Sequence, residues 1–142
     1  MRKRIALVIV ALLVGIQLVP VDRGTRAPVT LAAPTEVMQV LERSCFDCHS
    51  GTTRWPWYGR VAPVSWIVAH HVEEGRGKID FSRWGEAAPG TQQHWREEIA
   101  EVVREGEMPP GYYKLMHRRA ALDGAARETL LGWAASGPHR ED

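Results

Sequence analysis

Cys45-Phe46-Asp47-Cys48-His49 is the stretch of this chain with the clearest capacity for chemistry. Two thiols three positions apart, followed at once by an imidazole, form the attachment pattern of a c-type haem. Residues three apart share a face of a helical turn. Two thiols so placed can bond to two vinyl groups along one porphyrin edge, and the adjacent imidazole can ligate the iron. The chain has 2 cysteines in 142 residues, so this motif takes every thiol. Competing chemistries lack their other parts. A thioredoxin-like dithiol belongs beside a βαβ pattern, which is missing. A structural zinc site needs four ligands, and no second Cys-x-x-Cys or paired-histidine motif supplies the rest. A disulfide closing so small a loop would stabilise little.

The elements that position this motif can be read along the chain. Arg2, Lys3 and Arg4 precede an apolar run, residues 5–19, broken only by Gly15 and Gln17. That is the pattern of an export signal or membrane anchor. No good small-residue cleavage site follows, so the expectation is an uncleaved anchor over 1–21. It would make a single pass of the cell inner membrane, with the rest of the chain facing the periplasm. The alternative is a cleaved signal and a soluble periplasmic protein. The run is shorter than the roughly 20 residues that span a bilayer comfortably.

Residues 22–34, with Gly24, Pro28 and Pro34 and no regular period, read as a linker. Residues 35–142 are one domain's worth of chain. Without Arg2, Lys3 and Arg4, 15 basic residues face 17 acidic ones, formally −2. Nothing in that balance argues for nucleic acid, which calls for a basic stripe. The partners expected are redox proteins and, through the N-terminal segment, the membrane.

Within the domain, Thr35 is a candidate cap for a helix running to about Cys48, with Val37, Val40, Leu41, Cys45 and Cys48 on one stripe. A loop over 50–63 is rich in aromatics. Its Arg54, Trp57 and Tyr58 suit a haem rim, with N–H and O–H groups meeting propionates while rings cover the macrocycle. A second helix is expected from Pro63 to near Gly75, with Val64, Ile67, Val68, His71 and Val72 on its buried face. His71 points inward on this reading and His70 does not. Thr91 caps a third helix to about Glu105, striped by Trp95, Ile99, Val102 and Val103, and Gly106 ends it. Pro109 and Pro110 then stiffen the segment behind Met108. A thioether held there suits the sixth coordination position, ahead of Met38, Met116 and His117. Asp123 caps a last helix that Gly137 and Pro138 stop. Period-2 alternation is scarce, so the expected fold class is all-α: about four helices around a covalent haem, preceded by the anchor helix.

Several ordered motifs then agree: Cys45 to Ser50, Thr53 to Tyr58, Val61 to Trp66, His71 to Arg76, Phe81 to Trp84, and Glu107 to Pro110. Together they resemble the small haem-binding domain family of bacterial monohaem c-type proteins. The resemblance spans roughly residues 35–136. It implies a cytochrome c-like helical fold, one covalent haem c carried by Cys45 and Cys48, and His49 as proximal ligand. The expected function is single-electron transfer by a membrane-tethered carrier, not an enzyme, with His49 and Met108 on the iron. The alternative is a haem enzyme or a redox or gas sensor with an open distal site, in which Met108 only packs and His71 acts in the pocket. A haem-free thiol–disulfide oxidoreductase is the third reading. Expressed with a haem-attachment system, the protein is expected to keep its haem through denaturing electrophoresis, and Cys45→Ala with Cys48→Ala to lose it; release from the unmutated chain would refute covalent attachment.

Overall fold

Local stop signals set most helix ends in this chain. The structure, a computed structural model, describes residues 1–24 and 27–137. Among them the helices are α1 (Arg2–Gly15), α2 (Thr35–Ser44), α3 (Phe46–His49), α4 (Val64–Lys78), α5 (Pro89–Glu105), α6 (Gly111–Met116) and α7 (Gly124–Ala135). Short 3-10 turns at Ile16–Leu18, Trp57–Arg60, Trp84–Glu86 and Arg118–Ala120 connect them. No strand occurs among the described residues, so the fold class is all-α as expected.

Pro89 opens α5 at a position where its missing N–H is no loss. Gly106 closes it in the left-handed region, at φ 75°, where a Cβ would be strained. Asp123 caps α7 as its sequence position suggests, its carboxylate accepting from the Ala126 N–H at 2.8 Å. Gly137 follows at φ 70°; Pro138, the other expected stop, lies outside the described residues. Elsewhere the boundaries move. Thr35 lies inside α2 and not at its cap, which is Pro34. The helix expected through Cys48 breaks at Cys45, whose backbone (φ −125°, ψ −40°) leaves helical geometry. The amides of Cys48 and His49 then turn back onto the Cys45 carbonyl, at 3.1 and 3.0 Å. Gly75, expected near the helix end, is interior to α4.

The core forms where α7 lies between α5 and α2. Leu41 and Leu130 are fully buried there, with Val37, Ile99, Val103 and Trp133 around them. Phe46, Phe81 and Trp84 extend this core towards α3. Arg96 is the unexpected member: it is buried, donates to the Trp133 carbonyl at 3.0 Å, and lies 4.3 Å over the Trp133 ring. Cation–π contact and one hydrogen bond offset part of its desolvation, and burial lowers its pKa. Residues 27–34 have no regular element, yet Leu31 is buried in the core and the Thr30 N–H donates to the Phe81 carbonyl at 3.0 Å.

The N-terminal expectation is overturned. No helix among the described residues is long and apolar enough to cross a membrane. α1 has 14 residues, about 21 Å at 1.5 Å per residue, against a hydrocarbon core of about 30 Å. It gives way to the 3-10 turn at Ile16. Gln17 is then tied to the domain: its side-chain amide donates to the Ala62 carbonyl at 3.1 Å, and its oxygen accepts from the Ala62 N–H at 2.9 Å. The single-pass anchor over 1–21, and the inner-membrane location that rested on it, are corrected accordingly.

Leu130→Ala is expected to cost about 2–5 kcal/mol in denaturant unfolding because it leaves a core cavity, whereas Leu115→Ala, at a side chain 75% exposed, should stay within about 0.5 kcal/mol.

Candidate functional site

The two thiols stand at the junction of α2 and α3, both free and half-buried. What brings this junction against α4 is Gly75. A Cβ there would sit 2.7 Å from the Cys48 carbonyl oxygen and 3.3 Å from the Cys48 Cβ, so only glycine permits this approach. The next residue, Arg76, locks the chain that leaves the motif. Its guanidinium donates to the Ser50 carbonyl at 2.9 Å and to the Thr53 hydroxyl at 3.0 Å. Ser50 caps its own turn by donating to the Phe46 carbonyl at 2.8 Å, and the Gly51 N–H donates to the Ser82 hydroxyl at 2.8 Å. Four of the separated sequence motifs thus meet around one turn.

His49 is held on two sides. Its Nδ1 lies 3.1 Å from the Ile79 carbonyl oxygen, and its ring meets Phe81 edge-on, centroids 6.4 Å apart. Phe81 also returns a backbone bond, its N–H donating to the His49 carbonyl at 2.8 Å. A carbonyl can only accept, so the proton sits on Nδ1 and Nε2 carries the lone pair. Burial lowers the pKa of the ring, outweighing the opposing pull of the Ile79 and Gly75 carbonyls. The result is a neutral, oriented imidazole with one nitrogen available to a metal. The thiols have a different character. Burial pushes Cys45 up to about 12, with Cys48 beside it adding to the effect. Cys48 rises to about 11, again chiefly by burial and then by the Asp47 charge. A reactive dithiol calls for the opposite shift.

Asp47, between the two cysteines, ties the motif to later segments. It accepts from the Tyr113 hydroxyl at 2.8 Å and from the Arg54 backbone N–H and Nε at 3.0 and 3.2 Å. The Arg54 pKa is raised by that bond. Tyr113 is pushed up by burial, then by the Asp47 carboxylate. The Tyr113 ring stacks on His117 at 4.4 Å, and the His117 Nε2 lies 2.7 Å from the Tyr58 hydroxyl. Arg54, Tyr58, Tyr113 and His117 therefore form one cluster beside the attachment turn. Trp57 touches it only edge-on, through Tyr58 at 5.9 Å, and is otherwise 76% exposed. The sequence reading missed Asp47 and Tyr113, since a carboxylate and a phenol in these positions have no spacing signature. It missed Ile79 because the group used is a backbone carbonyl.

Met108 follows Gly106, and the N–H groups of Glu107 and Met108 both turn onto the Val102 carbonyl, at 3.0 and 3.4 Å. Its side chain is part-exposed, whereas Met38 packs against the core and Met116 projects from the end of α6. His71 is half-buried with its ring 5.0 Å from Tyr112, while His70 is exposed near Glu74. The stripe expected to be buried on α4 is only partly so: Val72 is buried and Val68 and His71 are half-buried, but Val64 and Ile67 are exposed, and Ser65, off the stripe, is buried. The polypeptide leaves Val64 and Ile67 uncovered.

A haem fits this donor set. Two adjacent thiols, an imidazole with a free Nε2, an uncommitted thioether and an apolar surface lacking a protein cover are what such a group requires. A family model described as a haem-binding domain matches residues 11–136. The chain belongs to this family of haem-binding domains. No curated protein matches it, and neither does any solved structure. The match runs from within α1 past the end of α7, so the haem-binding domain takes in residues 22–34 as well as the helices around Cys45.

Gly75→Val is expected to force α4 away from Cys48 and to reduce the haem content of the purified protein severalfold, measured by pyridine haemochrome; full haem loading would show that the close approach is dispensable.

Proposed function

We propose that this haem-binding domain is a monohaem c-type electron carrier. Cys45 and Cys48 hold the haem by thioether bonds, and the iron is ligated by His49 and Met108. The observation that carries this reading is the His49 imidazole, its Nδ1 proton engaged by the Ile79 carbonyl and its other nitrogen left free beside two unpaired thiols. When bound, the haem supplies a one-electron ferric/ferrous couple. Everything else is the work of the chain.

The Ile79 carbonyl increases the basicity of His49 and fixes its ring plane, while Phe81 blocks rotation from the side. Gly75 and Arg76 keep the attachment turn from moving relative to α4. Val64 and Ile67 offer apolar contact to the macrocycle, and Tyr58 and Tyr112 offer ring faces with a hydroxyl each. Burial of this kind disfavours the more highly charged oxidation state and keeps water from the metal. Met108 would supply the second protein ligand. Its side chain is neither packed on the core like that of Met38 nor placed at the end of α6 like that of Met116. A thioether ligand from Met108 together with the His49 imidazole would raise the reduction potential and would leave no free site for exogenous ligands.

Met108→Ala is expected to abolish the far-red sulfur-to-iron band of the oxidised protein, lower the reduction potential and admit carbon monoxide, whereas Met116→Ala and His71→Ala leave all three unchanged. A wild-type protein that lacks the band and binds carbon monoxide at once would be an open-site haem enzyme or sensor, with His71 beside Tyr112 as its polar group.

A further inference from the structure

A concave surface of about 960 Å³ lies against the outer side of the attachment turn, lined by residues of α2, the 54–56 loop, α6 and the 3-10 turn after it. Asp47 and Tyr113 form part of its floor, so it abuts the motif without containing either thiol or His49. Its charge is uneven. Arg54 is neutralised by Asp47 at 3.2 Å. Arg43, Arg118 and Arg119 are exposed and make no ion pair among the described residues, and Glu42 is the only other acid in the lining. The same surface carries Leu115 and Met116, 75% and 60% exposed. The acidic residues of α5, Glu97, Glu98, Glu101 and Glu105, contribute nothing to this surface. A chain near neutral overall has therefore gathered positive charge and two large apolar side chains on one surface beside its prosthetic-group motif.

We propose that this concavity is the docking surface for an acidic one-electron protein partner. The partner would set carboxylates against Arg43, Arg118 and Arg119 and an apolar contact against Leu115 and Met116. Charge complementarity argues for a protein of this kind: guanidinium groups pair with carboxylates in forked geometry, steer an oppositely charged partner on approach, and fix its register more than they add affinity. Uncovered leucine and methionine on the same surface supply the dry centre that such contacts need. The position does the rest, since a partner seated here lies next to the turn that holds the haem. The inference rests on the electron-carrier reading and adds to it the chemistry of the partner.

The test uses the haem-loaded full chain and two one-electron donors, reduced plant-type [2Fe–2S] ferredoxin as the acidic protein and hexaammineruthenium(II) as a small cation. Each donor gives one electron to ferric haem, which becomes ferrous. With ferredoxin, the second-order rate is expected to fall steeply as salt rises. Arg118→Glu with Arg119→Glu should lower it about tenfold or more at low salt and remove the salt dependence. The same variant should not slow the ruthenium complex, and Glu97→Gln with Glu101→Gln should change neither rate. A ferredoxin rate that ignores both salt and the arginine substitutions, while ruthenium still reduces the haem, overturns the docking surface alone. So does an arginine variant with altered haem content or spectrum, because those side chains would then serve the prosthetic group. Reduction of the wild-type haem by neither donor overturns the carrier reading and this surface with it.

Discussion

His49 can offer a lone pair to a metal because the backbone of another element accepts a hydrogen bond from its Nδ1–H and so holds the proton on that nitrogen. Ile79 is the residue at which α4 ends; its extended backbone (φ −138°, ψ 124°) departs from the helix, and its carbonyl receives Nδ1 at 3.1 Å. Two residues on, Phe81 sends its N–H back to the His49 carbonyl. This reciprocal pair clamps the ligand between a helix end and the start of the next loop. Each bond contributes only about 0.5–1.5 kcal/mol net. Their larger effect is to fix which nitrogen is free and where it lies, and burial keeps that ring neutral.

The clamp works only if α4 runs close to α3, and two consecutive residues secure this in opposite ways. Gly75 contributes by having no side chain, which lets the helix touch the Cys48 backbone. Arg76 contributes by having a long one, which reaches back to Ser50 and Thr53. The helical core of α2, α5 and α7 braces this arrangement from behind through Phe46, Phe81 and Trp84. It does so while accommodating Arg96, whose guanidinium lies against two indole faces in place of a carboxylate. Asp47 joins the same turn to α6 through Tyr113, so the residue between the thiols also sets the neighbouring surface.

Much of this could be read along the chain. The Cys-x-x-Cys-His motif and the all-helical class come from residue type and spacing, as do the stop at Gly106 and the cap at Asp123, because each of these signals acts within about one helical turn. The ordered motifs 71–76 and 81–84 were legible as a pattern. Their purpose became visible only when Gly75, Arg76 and Phe81 were seen around Cys48, Ser50 and His49.

The rest was decided by tertiary contacts that no local pattern encodes. Residues 22–34 read as a linker, since prolines and glycine hide the fact that Leu31 fills the core. Apolar spacing on α4 marked Val64 and Ile67 for burial, but spacing says only that side chains share a face, not that protein covers it. The apolar run after Arg4 suggested a membrane span, whereas its helix stops at Gly15 and Gln17 bonds to Ala62, 45 residues away. Arg96, the Ile79 carbonyl and the Asp47–Tyr113 bond share the same cause. Sequence fixes what each residue can donate, accept or bury, and only the folded chain determines which distant group it meets.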